Sequence, residues 1–380
     1  MTQWSYDAAD RVVWQKYPGG ANGEIGEQVD TTYTSQGLLR QVQSNGGVYY
    51  VGDTLYNVRG QVIERRLGST AGVIKQLYSY AATENFRLTA FRSGVSPSYN
   101  TLQNVSYSYD DAGNVLTIAD TAAYGGSQTQ GFSYDALNRL ATAAATGGSY
   151  GAYSQRSYQY SNAGNPSPGS GQALTSFEGA AFAYNDAAHK HAVTHVGGVQ
   201  KYWYDQDGNV ITRSNGGLTL TLTYDAENRL TGMSGAATES HIYDGDGVRV
   251  RAVITTPVSM TSIYVGNYFE ITGGITRTYY YAGSVRVAER YSNTLYFLLT
   301  DHPSTALRTG SGLHCHDDRR QRQSGDRIAL LSLRRLGALQ SRRADYDLPL
   351  HGAAVGSGHG VVLVQLKVVR PADRAVHPGG

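Results

Sequence analysis

Apolar and polar side chains alternate along many short stretches of this chain, and these stretches end at a tyrosine followed by a polar turn. In the segment V-S-Y-S-Y-D, Val105, Tyr107 and Tyr109 occupy every second position, so they share one face of an extended strand. Asp110 can accept hydrogen bonds from the N–H groups just ahead of it, and Gly113 adopts positive φ at little cost. A second strand-like stretch, N-V-L-T-I, comes next. The pattern predicts a β-hairpin with a turn specified by Asp, Gly and Asn.

This hairpin unit recurs, with 19 to 29 residues between successive repeat tyrosines, namely Tyr6, Tyr33, Tyr56, Tyr80, Tyr109, Tyr134, Tyr160, Tyr184, Tyr204, Tyr224 and Tyr243. The best-preserved units predict structural roles for Tyr109, Asp110, Gly113, Asn114, Tyr134, Asp135, Arg139, Tyr204, Asp205, Gly208, Asn209, Tyr224, Asp225, Arg229, Tyr243 and Asp244. Two of the arginines, Arg139 and Arg229, lie four residues after an aspartate and could reach that carboxylate across the turn.

The repetition also predicts how the hairpins assemble. An isolated hairpin is marginal in water, so successive hairpins must pair edge to edge and curl to bury one face. Tyrosine suits that face because its ring is apolar and its hydroxyl can meet water or a polar neighbour. We therefore predict an all-β fold of repeated β-hairpins in a curved sheet over residues 1–310, with an irregular tail over residues 311–380.

Composition supports this fold class. Tyr supplies 30 of the 40 aromatic residues, alongside 46 Gly and only 9 Pro, a bias toward strands separated by glycine turns. The net charge of +2 in 380 residues favours no nucleic-acid partner. Apolar runs stay below the roughly 18 residues that span a bilayer, so membrane insertion is not predicted. The single cysteine, Cys315, rules out an internal disulfide framework.

Histidines at positions 189, 191 and 195 form the sharpest metal-like cluster, because two of them are spaced to share one strand face. No Cys or carboxylate set accompanies them, so neither a metal nor a cofactor is predicted. The carboxylates of the five repeat turns, Asp110, Asp135, Asp205, Asp225 and Asp244, could in principle supply a glycosidase pair, which needs two groups about 5–10 Å apart. A catalytic pair is singular, whereas these groups repeat at equivalent turn positions, so no catalytic residue and no enzyme is predicted.

These motifs resemble those of the RHS/YD-repeat family, and the resemblance covers roughly residues 6–309. It extends to the segments at 188–198, 279–290 and 296–309, which look like the end of the repeats and the start of the RHS-associated core. Asp301 and His302 match that core, although a residue is missing before Ser304. The resemblance implies a long β-sheet spiralled into a hollow shell, which in bacterial members often encloses a C-terminal toxin; animal relatives act in cell adhesion.

The tail differs in composition from everything before it. From residue 313 onward it contains one tyrosine, yet the sole Cys and five of the ten His; 11 Lys/Arg against 6 Asp/Glu give it a charge of +5. Codons can be chosen for 317–335 and 348–380 so that a one-base shift reads as family core text. We therefore predict that the tail is an out-of-frame translation of a truncated gene, which makes the cluster of His314, Cys315 and His316 accidental.

Taken together, the sequence predicts a non-enzymatic shell fragment of a secreted or cell-surface bacterial protein, whose partner is a C-terminal toxin cargo. The alternative is an adhesion or carbohydrate-binding module that recognises cell-surface glycans through exposed tyrosine rings.

Overall fold

The computed structural model describes residues 2–19, 25–95, 97–122, 126–148, 152–160, 174–177, 180–299 and 362–365. The described chain is almost entirely β-strand, with one short 3-10 turn at Ala82–Glu84. The predicted all-β class is thus confirmed. No helix among the described residues is long and apolar enough to cross a membrane.

The strands form two antiparallel sheets of 17 and 12 strands. The first contains β1 (Gln3–Tyr6), β2 (Val12–Pro18), β3 (Ile25–Tyr33), β4 (Leu39–Ser44), β5 (Tyr49–Tyr56), β6 (Val62–Gly68), β7 (Ile74–Ala81), β8 (Arg87–Val95), β9 (Ser98–Tyr109), β10 (Val115–Asp120), β11 (Gln128–Tyr134), β12 (Leu140–Gly147), β13 (Tyr153–Tyr160), β14 (Leu174–Phe177), β15 (Ala180–Ala183), β16 (His195–Val196) and β17 (Val199–Gln200). The second contains β18 (Tyr202–Tyr204), β19 (Val210–Asn215), β20 (Leu218–Tyr224), β21 (Leu230–Gly235), β22 (Thr238–Tyr243), β23 (Arg249–Thr256), β24 (Met260–Val265), β25 (Phe269–Thr272), β26 (Ile275–Ala282), β27 (Val285–Tyr291), β28 (Thr294–Leu299) and β29 (Val362–Gln365).

Within each sheet, every strand pairs antiparallel with the next strand along the chain, as predicted for hairpins joined edge to edge. The two sheets meet where β17 gives way to β18. The carbonyl of Thr194 there accepts hydrogen bonds from the N–H groups of Lys201 and Tyr202 at 2.8 and 3.3 Å. The chain thus continues its hairpin sequence across the division between the sheets.

A one-residue register shift occurs at the repeat tyrosine of the hairpins. In the β11–β12 hairpin, Ser133 pairs with Thr142 but Tyr134 pairs with Leu140, which leaves Ala141 as an extra residue. The same shift occurs at Tyr204, Tyr224 and Tyr243. Such a bulge bends a strand and increases its twist, so each unit carries a bend at the same place.

The largest apolar core lies between the two sheets. It consists of buried Tyr17, Val29, Val42, Tyr50, Val51, Leu67 and Ile74 from the first sheet and Tyr280, Ala282, Val287, Ala288, Leu295, Phe297 and Leu299 from the second. Burying a side chain of Leu or Phe size stabilises the fold by about 1.5–3 kcal/mol relative to exposure. The sheets are therefore held face to face by β2–β7 and β26–β28.

The predicted tail lies outside the described residues except for β29, which pairs with β28. The boundary at residue 310 and the predicted character of the tail accordingly stay predictions.

Candidate functional site

Hydroxyls of the repeat tyrosines connect each unit to the unit before it. Among the described residues, ten of these hydroxyls donate a hydrogen bond of 2.6 to 3.0 Å to a backbone carbonyl of the preceding unit. We call this series the tyrosine ladder, and its donor–acceptor pairs are Tyr33–Val12, Tyr56–Leu39, Tyr80–Val62, Tyr109–Leu88, Tyr134–Val115, Tyr160–Leu140, Tyr184–Leu174, Tyr204–Val193, Tyr224–Val210 and Tyr243–Leu230. The ladder runs across both sheets, so it crosses the point where their strand pairing is interrupted.

Aspartates that follow the repeat tyrosines organise the turns. Asp135 Oδ1 accepts hydrogen bonds from the N–H groups of Leu137 and Arg139, both at 2.9 Å. Its own N–H donates to the carbonyl of Arg139 at 2.9 Å, which closes the turn. The turns at Asp205, Asp225 and Asp244 repeat this arrangement. The aspartates therefore satisfy backbone donors that the turn would leave unpaired.

The second carboxylate oxygen binds the side chain four residues later. Arg139 Nε donates to Asp135 Oδ2 at 2.7 Å, and Arg229 forms the same contact with Asp225 at 2.7 Å. In the Gly-Asn turns an asparagine replaces the arginine: Asn114 Nδ2 lies 2.8 Å from Asp110 Oδ2. Asp244 is followed at this spacing by Val248, so only the backbone bonds remain there.

Consecutive turns also contact each other. Asn114 Nδ2 donates to Asn138 Oδ1 of the next turn at 2.8 Å, and Asn209 donates to Asn228 at the same distance. A cation–π contact also links neighbouring units: the Arg139 guanidinium lies 4.4 Å from the ring centre of Tyr160 in the following unit. The turns thus form a polar row along one edge of the hairpins.

One residue in each turn has positive φ. Gly113, Gly208 and Gly247 have φ values of 93°, 83° and 78°. Asn138 and Asn228 occupy the equivalent position at 58° and 59°. Glycine and asparagine both tolerate this region, which explains why either residue can occupy this position of the turn.

Hydrogen bonds within the turns lower the pKa of the carboxylates of Asp110, Asp205 and Asp225. The Asn114 side chain and the backbone of the turn lower the pKa of Asp110, and Asn209 does the same for Asp205. For Asp225, the backbone N–H of Arg229 and then its guanidinium lower the pKa. Each carboxylate is engaged within its own turn, so the five repeats provide equivalent structural groups.

Several repeat tyrosines have a raised pKa. Burial raises the pKa of the Tyr204 hydroxyl to about 12 and also raises the pKa of Tyr109, Tyr134 and Tyr160. A neutral hydroxyl retains the proton that it donates to the carbonyl of the preceding unit. These four hydroxyls therefore keep their protons at physiological pH.

His189 lies beside Tyr204 in an open hollow that Lys190, His191 and Gly208 also line. Its Nδ1 is 3.0 Å from Asp186 Oδ2 and its Nε2 is 3.1 Å from the carbonyl oxygen of Gln206. Both partners accept hydrogen bonds, so both ring nitrogens must donate. The hydrogen bond to Asp186 raises the pKa of His189 accordingly. These contacts close the turn and favour the protonated form of His189.

His189, His191 and His195, the three candidate metal ligands, do not form a metal-binding group in the structure. His195 Nδ1 lies 2.9 Å from Thr194 Oγ1. Within the part of the chain that the structure describes, no group of three or more His, Cys, Asp or Glu residues could hold a metal ion. Asp301, His302 and the cluster at residues 314–316 lie outside the described residues.

A polar network across the two sheets was not predicted from the sequence. The rings of Tyr50 and Tyr280 stack with centroids 3.6 Å apart. Their hydroxyls donate to the two oxygens of Glu27, each at 2.7 Å. Arg290 donates to both hydroxyls at 3.0 and 3.2 Å. We call these four residues the seam network, because they join β3 and β5 to β26 and β27.

Neither the acceptors of the ladder nor the seam network carries a strong sequence signal. A Val or Leu six residues after a repeat tyrosine is visible as a pattern, as in Val115 after Tyr109, but its bonding group is a backbone carbonyl. Glu27 and Arg290 are separated by more than 250 positions, so only the packing of the two sheets brings them together.

Comparison with known proteins gives a result at the level of fold. No protein-family model and no curated protein matches the sequence. The structure is similar to TcdB2-TccC3-TEV, with 17% identity, a TM-score of 0.58 and coverage of 78% of this chain and 16% of that chain.

Two further solved structures agree. The Photorhabdus luminescens Tc holotoxin pore has 17% identity and a TM-score of 0.55, covering 78% of this chain and 15% of that chain. TcdB2-TccC3 has 18% identity and a TM-score of 0.52, covering 78% of this chain and 16% of that chain. The chain thus spans about a sixth of the length of these Tc toxin chains and shares their fold over most of its own length.

Proposed function

We propose that this chain is a segment of the wall of an RHS-type shell, which acts without catalysis by enclosing and delivering a polypeptide. The observation that carries the proposal is the tyrosine ladder, which connects one hairpin to the next across both sheets. The fold shared with the Tc toxin chains supports it. The cargo would be a C-terminal toxin of a longer bacterial protein, as the family resemblance implies.

The mechanism is steric. Strands paired on both sides have their backbone N–H and C=O groups engaged, so a wall of such strands offers a protease little backbone to bind. The turn carboxylates and tyrosine hydroxyls of the repeats are likewise occupied by bonds within the wall. A continuous wall therefore separates its contents from the solution outside. Delivery outside the producing cell follows from the same resemblance.

A guest-protection experiment tests this function. An unfolded reporter peptide is attached after Gly380 of the full chain, and its cleavage by trypsin is compared with that of the same peptide added in trans. We expect slower cleavage of the attached reporter, because the wall shields a chain that lies against it. Equal cleavage rates in cis and in trans would contradict enclosure.

Carbohydrate binding is the alternative, and a few exposed aromatic rings favour it. Tyr6 is 56% exposed and Trp203 is 37% exposed, and such rings can stack on sugars. Most repeat tyrosines, in contrast, have their hydroxyls bound in the ladder. A glycan array probed with the full chain decides between the two: strong binding lost in the Trp203→Ala variant would favour an adhesion module.

A further inference from the structure

The outer edge of β1 is open. Among the described residues β1 pairs only with β2, whereas the equivalent strand of a later unit, β11, pairs with β10 on one side and β12 on the other. Backbone N–H and C=O groups on the outer side of an edge strand can pair with a further strand. The side chains of β1 are accessible as well, because Trp4 is 43% exposed and Tyr6 is 56% exposed.

Tyr6 is the first repeat tyrosine, and its hydroxyl has no acceptor among the described residues. In seven of the ten pairs of the tyrosine ladder, the accepting carbonyl belongs to a Val or Leu six residues after the preceding repeat tyrosine. The unit of Tyr6 is otherwise complete: Asp7 accepts from the N–H of Arg11 at 3.1 Å, and the Val12 carbonyl accepts from Tyr33. The contact to an earlier unit is therefore what this hairpin lacks.

The stacking of the two sheets shows what lies beneath this edge. The ring of Tyr280 in β26 contacts Tyr50 of β5 and Tyr17 of β2, with centroids 3.6 and 5.4 Å apart. The ring of Trp4 in β1 meets Tyr268, in the turn between β24 and β25, with centroids 6.1 Å apart. The step from β2 to β1 in the first sheet thus corresponds to a step from β26 toward β24 in the second. A strand added to β1 would lie over β24 and β23.

The second sheet loses its cover at the same place. Phe269 of β25 lies on the face that packs against the first sheet, because its register partner precedes Tyr280 by two positions on β26. Strand register places Ile263 of β24 and Ile242 of β22 on this face too. Tyr280 and Phe269 are 0% and 5% exposed, whereas Ile263 and Ile242 are 48% and 49% exposed. Apolar side chains thus continue past the point where the first sheet ends.

One occupant satisfies the open edge, the hydroxyl and the apolar face together. We propose that β1 is a docking edge for a further tyrosine-repeat hairpin, whose second strand pairs antiparallel with β1. A Val or Leu carbonyl of that strand accepts from the Tyr6 hydroxyl, and its apolar side chains cover Ile263 and Ile242. The ten carbonyls of the ladder are occupied by tyrosines of this chain, so the hairpin comes from a separate polypeptide. This inference rests on the proposed function, since the hairpin extends the same wall.

Fluorescence anisotropy with a labelled hairpin peptide tests the edge, with the full chain as the protein. The probe copies residues 104–120, the unit whose Val115 carbonyl accepts from Tyr134 in this chain. Its control is a scrambled peptide of the same composition. We expect the hairpin probe to bind and the scrambled peptide to bind at least about tenfold more weakly. The probe should also slow amide hydrogen exchange of residues 3–6, because their outer N–H groups become paired.

Two variants with matched controls identify the contacts. Tyr6→Phe should weaken probe binding about threefold to tenfold, because it removes one hydrogen bond. Tyr99→Phe, at a half-buried tyrosine of β9, should change the affinity less than about twofold. Ile263→Ser should weaken binding about tenfold or more, since it removes apolar surface that the probe buries. Its control is Val199→Ser in β17, at a residue that is 56% exposed, which should again change the affinity less than about twofold.

Absence of probe binding, equal binding of the scrambled peptide or equal losses in a variant and its control would overturn the proposal. Self-association of the chain that disappears in Ile263→Ser, without probe binding, would also overturn it, because a second copy would then cover the edge. These results are separable from those on enclosure. A reporter protected in cis with no probe binding leaves the shell and removes the docking edge, whereas probe binding without protection does the reverse.

Discussion

At the scale of single residues, the repeat tyrosines connect units through their hydroxyl groups. A ring alone would pack against its neighbours along the sheet, but the hydroxyl also fixes the distance to the preceding unit by bonding a backbone carbonyl. Tyr6 differs, because it is 56% exposed and its hydroxyl forms no hydrogen bond with a described residue. It therefore serves as a natural comparison for the tyrosines of the ladder.

We expect Tyr109→Phe to lower the free energy of unfolding by about 1 kcal/mol, since it removes a hydrogen bond and leaves the half-buried carbonyl of Leu88 without that donor. Equilibrium urea unfolding measures this loss. The control is Tyr6→Phe, for which we expect a change close to zero. Equal effects of the two substitutions would show that the hydroxyl bond contributes nothing.

His189 gives a second prediction, on pH. Its pKa is raised in the folded chain, chiefly by the hydrogen bond to Asp186. Stability from this group is therefore complete below its unfolded pKa of about 6.5 and is lost as the pH rises through the higher folded value. We expect the unfolding temperature of His189→Gln to vary less with pH in that window than that of the original chain.

Thermal unfolding at a series of pH values from mildly acidic to mildly alkaline checks this. The control is His191→Gln, because His191 lines the same hollow but forms no hydrogen bond with described residues. It should retain the original pH dependence. A His189→Gln profile that parallels the original would rule out the imidazolium as a source of stability.

At the scale of the hairpin, two local features define the conformation of each turn. The aspartate satisfies backbone N–H groups, and the residue three positions later supplies the positive φ. The side chain four positions later adds an ionic or amide contact to the same carboxylate. Because an exposed ion pair contributes only about 0–1 kcal/mol, the backbone bonds are the larger contribution.

Substitutions at Asp135 separate these contributions. Asp135→Asn keeps an oxygen that can accept from Leu137 and Arg139 but removes the charge next to the Arg139 guanidinium, so we expect a small loss of stability. Asp135→Ala removes both the accepting oxygen and the charge, and we expect an additional loss of stability of about 1 kcal/mol. Unfolding free energies in urea test this order, and a larger loss for Asn than for Ala would contradict it.

At the scale of the whole molecule, the seam network holds the two sheets together with polar groups inside an apolar core. Tyr280 contributes in three ways, because its ring stacks on Tyr50 while its hydroxyl donates to Glu27 and accepts from Arg290. Burial raises the pKa of Tyr280, so its proton stays available to Glu27. The packing of the two sheets thus depends on contacts between residues far apart in sequence.

A double-mutant cycle measures this coupling. Tyr280→Phe retains the ring and should cost about 1.5–3 kcal/mol, since it removes hydrogen bonds to two charged groups. Combined with Glu27→Gln, it should show a coupling energy of about 0.5–3 kcal/mol in unfolding experiments. The reference pair is Tyr280→Phe with Tyr204→Phe, which lie eight strands apart in the second sheet and should be additive.

Coupling no larger than in the reference pair would mean that the four seam residues act independently. A positive result would show that the contact between β5 and β26 couples the two sheets.

Several features could be predicted from the sequence because they are local. The turn at Asp135 requires only neighbours within four residues, so the contact with Arg139 could be expected from spacing alone. The alternation of apolar and polar residues before Tyr109 likewise predicts the strand and the residues that share one of its faces. The bulge at Ala141 could not be predicted, because an extra residue in one strand leaves no distinct mark in the side-chain pattern.

The sequence by itself therefore determined the class of fold, the repeating hairpin and the chemistry of its turns, since all of these depend on short-range spacing and on side chains that act on their own backbone. Tertiary structure alone decided where the hydroxyl of each repeat tyrosine binds, how Glu27 meets Tyr280, and that Ile242 and Ile263 stay half exposed. Those outcomes depend on which surfaces face each other after the sheets pack, and distances across the chain are not encoded in local spacing.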